Sequence, residues 1–303
     1  MNRQLLGHLA ALFTIINWGT TFIGTKILLR AFAPVEILVF RFLLGVLILC
    51  IVCPRPLRVG NVRRELVFAS AGLTGVCLYF LMENIALSYT TAANVGVIVS
   101  AAPMFTALFA WWAAGNAARP GPRFFMGFVT AMAGICLISF SGLSDLSGDW
   151  RGNVLAVGAS IVWGGYSVLV NRINSFGYPV LQATRRIFIY GLAFMIPVVL
   201  LMDFRLDLAR FENPLHVGLF LYLGLGACAL CFVVWAFAVS VLGAVKTSVY
   251  LYLVPVITLL CAAIILDERL TPVMLVGTAL TLLGLALSHS QKHGKAGDGV
   301  ASD

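Results

Sequence analysis

The stretch "IINWGTTFIGTK" (residues 15–26) decides how this chain is read. It lies in an apolar segment near the N-terminus, yet it carries a Trp-Gly pair, three threonines and a lysine. The stretch "IVWGGYSVLVN" (residues 161–171) repeats the pattern, with Trp163-Gly164 placed 145 residues after Trp18-Gly19. Polar groups inside an apolar helix are costly in a bilayer and mark a functional site by default. Their recurrence points to a duplicated unit whose polar face looks toward a shared centre and away from lipid.

Composition agrees with a membrane setting. Of 303 residues, 61% are hydrophobic and 11% charged, and the mean hydropathy is +0.99. A soluble domain carries roughly 25% charged residues, so an ordinary soluble enzyme is excluded and many membrane spans are expected. The net charge of +8 does not read as a nucleic-acid surface, because most Lys and Arg fall in short loops between apolar segments, where they set orientation. The seven Cys lie almost entirely in apolar stretches. Cys50 and Cys53, like Cys228 and Cys231, are spaced CxxC, but no further ligands stand nearby, so they read as small packing residues with no metal and no disulfide framework. Residues 1–29 resemble a signal peptide at Arg3, yet the apolar run is long enough to span and no cleavage site follows, so a retained helix is expected.

Ten segments reach spanning length, roughly 8–29, 35–53, 66–88, 93–113, 123–141, 153–170, 180–202, 215–239, 245–266 and 272–289. Thr271 before Pro272 is a hydroxyl cap followed by Pro at the first helical position, which starts the last helix there. The polar tail, 291–303, is expected to be disordered and cytoplasmic. With the N-terminus inside, cytoplasmic segments hold eleven Lys and Arg (Arg3, Arg55, Arg58, Arg63, Arg64, Arg119, Arg123, Arg172, Lys246, Lys292, Lys295). External loops then hold five (Arg30, Arg151, Arg205, Arg210, Arg269), which places both termini in the cytoplasm.

The halves align along their length. Trp18-Gly19, Pro34 and Arg41 match Trp163-Gly164, Pro179 and Arg186 at an offset of 145. Ala86, Ala92, Pro103 and Pro120 match Ala238, Ala244, Pro255 and Pro272 at an offset of 152. Five helices is an odd number, so the second unit (146–290) enters the membrane from the side opposite to the first (1–145). Inverted units of this kind place a binding site near the midplane and favour alternating access. The expected fold is all-α and integral to the membrane, with ten transmembrane helices in two inverted five-helix repeats.

The stretches "NWGTTFIGTK", "PVEILVFRF", "ALSYTTAANVGVIVSAAPMFTALFA", "LGAVKTSVYLYLVPVITLLCA" and "LDERLTPVMLVGTALTLLGLAL" resemble the EamA-type branch of the drug/metabolite transporter superfamily. The resemblance covers nearly the whole chain, twice, and is most specific in the last two stretches. It implies a ten-helix inner-membrane carrier, often an exporter of amino acids or related metabolites. One departure is clear: the Gly-Glu-Arg-like turn that usually ends the fourth helix reads "AAGNAARP" (113–120), without the acid, whereas the second unit keeps Asp267-Glu268-Arg269. A role shared by both turns is therefore in question.

The residues themselves nominate a substrate site. Trp18 and Trp163 either stack on a substrate or pack helices closely beside Gly19 and Gly164. Thr21 and Tyr166 lie within a turn of them, and their hydroxyls either meet a substrate or bond a carbonyl in their own helix. Glu83, with Tyr79 one turn before it, is an intramembrane acid that either binds an ammonium or takes a proton in the cycle, or else reaches the interface or pairs structurally. Arg41, Arg185 and Arg186 read as anion clamps or as snorkelling and structural cations, the second reading being favoured, and Lys26 reads as interfacial. Asn94 and Ile98 share a face of the fourth helix, Phe232 and Trp235 give the eighth an aromatic surface, and Tyr250 lies in the ninth-helix run "SVYLYLVPV". Pro103 and Pro255 are repeat mates whose kinks are gate candidates or static bends.

These features favour a secondary transporter that exports a small metabolite, an amino acid or an apolar compound, with a multidrug or other metabolite carrier as the variant reading. No cofactor is implied, no phosphate-binding loop of the GxxxxGK[ST] type occurs, and proton coupling through Glu83 is open. An integral membrane enzyme fits less well, because His8, His216, His289 and His293 are scattered over helix ends and the tail. The partners expected are a small-molecule substrate and the lipid bilayer, with no nucleic acid. The oligomeric state is not legible.

Overall fold

A computed structural model describes residues 3–115, 120–141, 150–202, 204–242 and 249–289. Every regular element among them is a helix. In chain order these are α1 (Arg3–Leu28), α2 (Pro34–Val52), α3 (Val62–Tyr89), α4 (Ala92–Val99), α5 (Ala102–Ala114), α6 (Pro122–Ser141), α7 (Trp150–Asn174) and α8 (Val180–Leu201). A short 3-10 turn at Leu208–Glu212 precedes α9, which starts at Pro214 and ends with Cys231–Leu242. A second 3-10 turn, Val249–Leu253, feeds α10 (Val254–Ile265), and α11 (Pro272–His289) follows. Among the described residues, seven helical stretches are long and apolar enough to cross a membrane, and three shorter apolar helices accompany them at 122–138, 250–265 and 272–288. This fits a multi-pass membrane protein. The expected disordered tail and Lys246 lie outside the described residues.

Local chemistry sets the boundaries. Asn61 caps α3 through the amides of Arg63 and Arg64, Thr91 caps α4 through the amide of Asn94, and Glu36 reaches back to the amide of Ala33 at the start of α2. Between α4 and α5 the helix is interrupted at Ser100 and Ala101, just ahead of Pro103. A proline there cannot donate to the preceding turn. The corresponding place before Pro255 is the 3-10 turn at Val249–Leu253. Two helices also contain π-helical turns, at Leu73–Leu78 in α3 and Tyr222–Leu230 in α9, and the offset of 152 relates these as well.

Packing follows the same correspondence. A Cβ added at Gly19 would meet Ile257 at 2.8 Å, and one added at Gly164 would meet Phe105 at 2.8 Å, with Phe105 and Ile257 again 152 apart. Each Trp-Gly helix therefore lies against the proline-bearing helix of the other half, backbone to side chain, because glycine leaves the room. Helices α6 and α11 pack antiparallel: Gly134 meets the Gly277 carbonyl and Gly284 meets the Gly127 carbonyl, each about 2.5 Å from where a Cβ would stand. Small residues at such crossings let backbones approach in a membrane, where hydrophobic driving force between helices is weak.

Charged side chains tie the two ends of the bundle. At the end formed by residues 29–34, 88–92, 205–213 and 266–271, buried Glu36 accepts from Arg210 at 2.8 and 3.0 Å and from the Arg205 amide. There Lys26 donates to the carbonyls of Leu87 and Thr90, and Glu268 accepts from the first amides of α4, Ala92 and Ala93. Lys26 is thus a structural cation between helices. At the opposite end Arg186 pairs with Glu65 at 2.5 Å, Tyr190 bonds the same carboxylate, and Arg185 donates to the carbonyls of Cys53 and Arg55.

Candidate functional site

The cavity lies where helices of both halves meet. It encloses about 170 Å³ and is lined mainly by apolar and aromatic side chains. In α3 the lining residues Gly75, Val76, Tyr79, Phe80 and Glu83 fall three or four apart, so one helical face turns inward. Trp18, Thr21 and Phe22 of α1 and Trp163 and Tyr166 of α7 do the same at their own spacing. Helix α9 contributes Ala227, Cys228 and Phe232, the first two from its π-helical turn. Ser100 and Pro103, at the break between α4 and α5, close another side with Tyr252.

Aromatic rings are fixed by one another. Trp163 stands 4.5 Å from the Tyr79 ring and 4.9 Å from Tyr166. Trp18 lies 5.9 Å from Phe232 and donates its indole N–H to the Ala227 carbonyl at 3.2 Å. The Thr21 hydroxyl bonds the Trp18 carbonyl at 2.7 Å, so it is committed to its own helix. Gly75 exists because the Tyr166 ring fills the space a side chain would need.

One acid and one arginine line this mainly apolar cavity, both from the first half. Glu83 is 2% exposed and lies one helical turn after Tyr79 on the same face. Arg41, 4% exposed, donates its Nε–H to the Cys228 sulfur at 3.1 Å and lies 4.4 Å from the centre of the Phe80 ring. Arg41 and Glu83 line the same cavity. Counting along the helices, both lie roughly 10 Å inside a helix end, too deep for the head group to reach an interface.

Of the residues nominated from sequence, Trp18, Thr21, Tyr79, Glu83, Trp163, Tyr166 and Phe232 line this cavity, as does Pro103. The others stand elsewhere. Ile98 is fully buried in a core formed with Phe22 and Leu259. Asn94 bonds the Thr90 hydroxyl, which bonds Asn153, in a cluster at one end of the bundle. Trp235 stands behind Trp18 at 5.3 Å, off the cavity wall. Tyr250 bonds His8 at 2.7 Å, and Pro255 is buried beyond the lining residue Val254. Asn94 and Ile98 precede the break at Ser100, and their partners are core and polar side chains away from the cavity, whereas Tyr250 is placed by the 3-10 turn at Val249–Leu253.

For Arg41 the sequence favours snorkelling or a structural pair; the structure buries the arginine in the cavity wall, away from any interface it could snorkel to. Helix α2 is apolar on every face, so no periodicity oriented the arginine. The signal available was depth alone, seven residues beyond Pro34. Cys228, Ser100 and Tyr252 line the cavity too, and none of them is a residue the sequence nominates for the site.

The comparisons with known proteins agree with one another. The family model described as the EamA-like transporter family matches residues 5–140 and again 150–289. An uncharacterized transporter of Archaeoglobus fulgidus is 29% identical over 290 residues, covering 94% of this chain and 98% of its own length. A probable terminal-alkyne amino-acid exporter of Streptantibioticus cattleyicolor is 25% identical, with 94% of each chain covered. A solved crystal structure, 18% identical, superposes with a TM-score of 0.60 over 95% of this chain and 99% of that one, a likeness of fold.

Proposed function

The chain belongs to the EamA-like transporter family, and from that premise we propose that it is a secondary carrier, exporting small metabolites of the amino-acid kind across the bacterial inner membrane by alternating access. In this reading the three shorter apolar helices also cross, giving ten spans with both termini cytoplasmic. Residues 1–145 and 146–290 are inverted repeats, and the substrate occupies the cavity at their seam. The observation that carries the reading is the cavity itself, an aromatic chamber at the seam of the two halves, lined by a buried arginine and a buried glutamate.

Support for inversion comes from packing. Gly127 and Gly134 meet Gly284 and Gly277 antiparallel, which suits two copies of one helix related by an axis in the membrane plane. The gate candidates remain Pro103 and Pro255, because the chain is irregular just before each. Trp18, Thr21, Tyr79, Glu83, Trp163, Tyr166 and Phe232 are the proposed contacts. Trp235 backs Trp18, while Asn94, Ile98 and Tyr250 stand away from the wall. The Streptantibioticus cattleyicolor relative's printed name favours an amino-acid cargo. A largely apolar wall also suits a carrier of apolar drug-like compounds.

Reconstitution tests the proposal. Proteoliposomes holding the full chain should exchange a labelled amino acid with internal unlabelled substrate, and a panel of labelled amino acids and apolar amines would find the cargo. Absence of flux for every compound that thermally stabilises the protein, or reporter tags placing the two termini on opposite sides, would overturn it.

A further inference from the structure

The arginines of the two halves provide an internal comparison. Arg186, the mate of Arg41, is half-exposed and satisfied: its Nε and Nη2 bond Glu65 and its Nη1 bonds the Leu57 carbonyl. Arg41 is buried, and its Nη1 has no hydrogen-bond partner. It lines the cavity all the same. An unpaired donor on a buried cation costs free energy, and such a group inside a membrane protein ordinarily belongs to a ligand path. The planar face of the guanidinium is already occupied by Phe80 at 4.4 Å and Nε by the Cys228 sulfur. What remains is the Nη edge, whose fork geometry matches a carboxylate.

Resting on the reading of this cavity as the substrate site, we propose that Arg41 is its anion-docking residue, holding the carboxylate of a substrate whose apolar body lies against Trp18, Trp163 and Phe232. Glu83, in the same chamber, faces a positive group on that substrate and opposes a second negative one. The docking point is one-sided. At the positions that match Tyr79 and Glu83 the second half carries Cys231 and Trp235, and Arg186 is taken by Glu65.

The test compares L-phenylalanine with L-phenylalaninamide, which keeps the ring and the ammonium and removes the carboxylate charge. Binding to the purified full-length protein is measured by calorimetry. The acid should bind roughly tenfold to a hundredfold more tightly than the amide. Arg41→Gln should bring the acid down to the amide's level and leave the amide unchanged, Arg41→Lys should restore part of the difference, and Arg186→Gln should leave it intact. Where Arg41→Gln fails to fold, Arg41→Lys carries the comparison. Equal binding of acid and amide, no binding of the acid at millimolar concentration, or a preference that survives Arg41→Gln overturns the proposal. Flux separates it from the carrier reading: acid preference without movement across proteoliposomes defeats only the carrier, and movement of the amide without acid preference defeats only the docking role.

Discussion

Gly284→Ala in α11 should destabilise the protein although it adds one methyl group to a helix. At that position a Cβ would stand 2.5 Å from the Gly127 carbonyl and 2.7 Å from the Ala131 Cβ, with the Ala131 amide also in contact. Ordinary contact begins at 3.4 Å, so α6 and α11 must part by about 0.9 Å, and two of the three obstacles are backbone atoms that no rotamer change can move. Overpacking of this kind costs about 1–3 kcal/mol. Separation also weakens the crossing at Gly134 and Gly277 seven residues away. The control is Gly165→Ala in α7, where nothing lies within 4 Å. There the same change gains helix propensity of up to about 1 kcal/mol. That gain is common to both helical positions, so the overpacking term alone separates the variants, and at about 2–4 °C per kcal/mol they should melt roughly 2–12 °C apart, with Gly165→Ala the higher. Detergent-purified protein, heated in steps and analysed by fluorescence-detected size exclusion, gives the comparison. A Gly284→Ala protein that melts at or above Gly165→Ala would refute the close backbone crossing.

Other outcomes follow from the charged ties and the cavity. Arg210→Ala leaves the Glu36 carboxylate buried without its guanidinium and should cost about 3 kcal/mol or more, whereas Glu65→Ala breaks a pair whose side chains are 27–29% exposed and should cost about 1 kcal/mol or less. Chemical denaturation of both variants in mild detergent checks the order. Trp163→Ala should retain a monodisperse fold but reduce substrate affinity at least about tenfold, a loss of about 1.4 kcal/mol, read by calorimetry. Glu83→Gln should flatten the pH dependence of uptake in proteoliposomes; an unchanged rate and profile would remove Glu83 from any coupling role.

How far the sequence reached depends on what each residue reports. Helix positions were legible because apolar runs bounded by Pro34, Pro214 and Pro272 carry both the length and the start signal. The cavity's aromatic wall was legible in part, since Trp18 and Trp163 repeat as a pair and Glu83 is conspicuous in an apolar helix. Rotation about the helix axis was not. Membrane helices such as α2 are apolar all round, so the pattern that would point Arg41 inward in a soluble protein is absent. Breaks spoiled the rest: Asn94 and Ile98 share a face of α4, but that face packs on Phe22 and Leu259 and the cavity begins only at Gly96 and Val99. Likewise Tyr250, placed by a 3-10 turn, meets His8 while Tyr252 takes the cavity position.

The π-helical turn of α3 has a mechanical consequence. It holds one more residue than an α-helical turn would, directly before Tyr79 and Glu83. If that surplus residue migrated along the helix, each segment it passed would turn by about 100° about the axis. A slip of one position would carry the tyrosine and the carboxylate off the chamber wall, and it would also take Gly75 out from under the Tyr166 ring. What the interior presents is thus tied to the register of one helix, held by the aromatic ring that only a glycine admits.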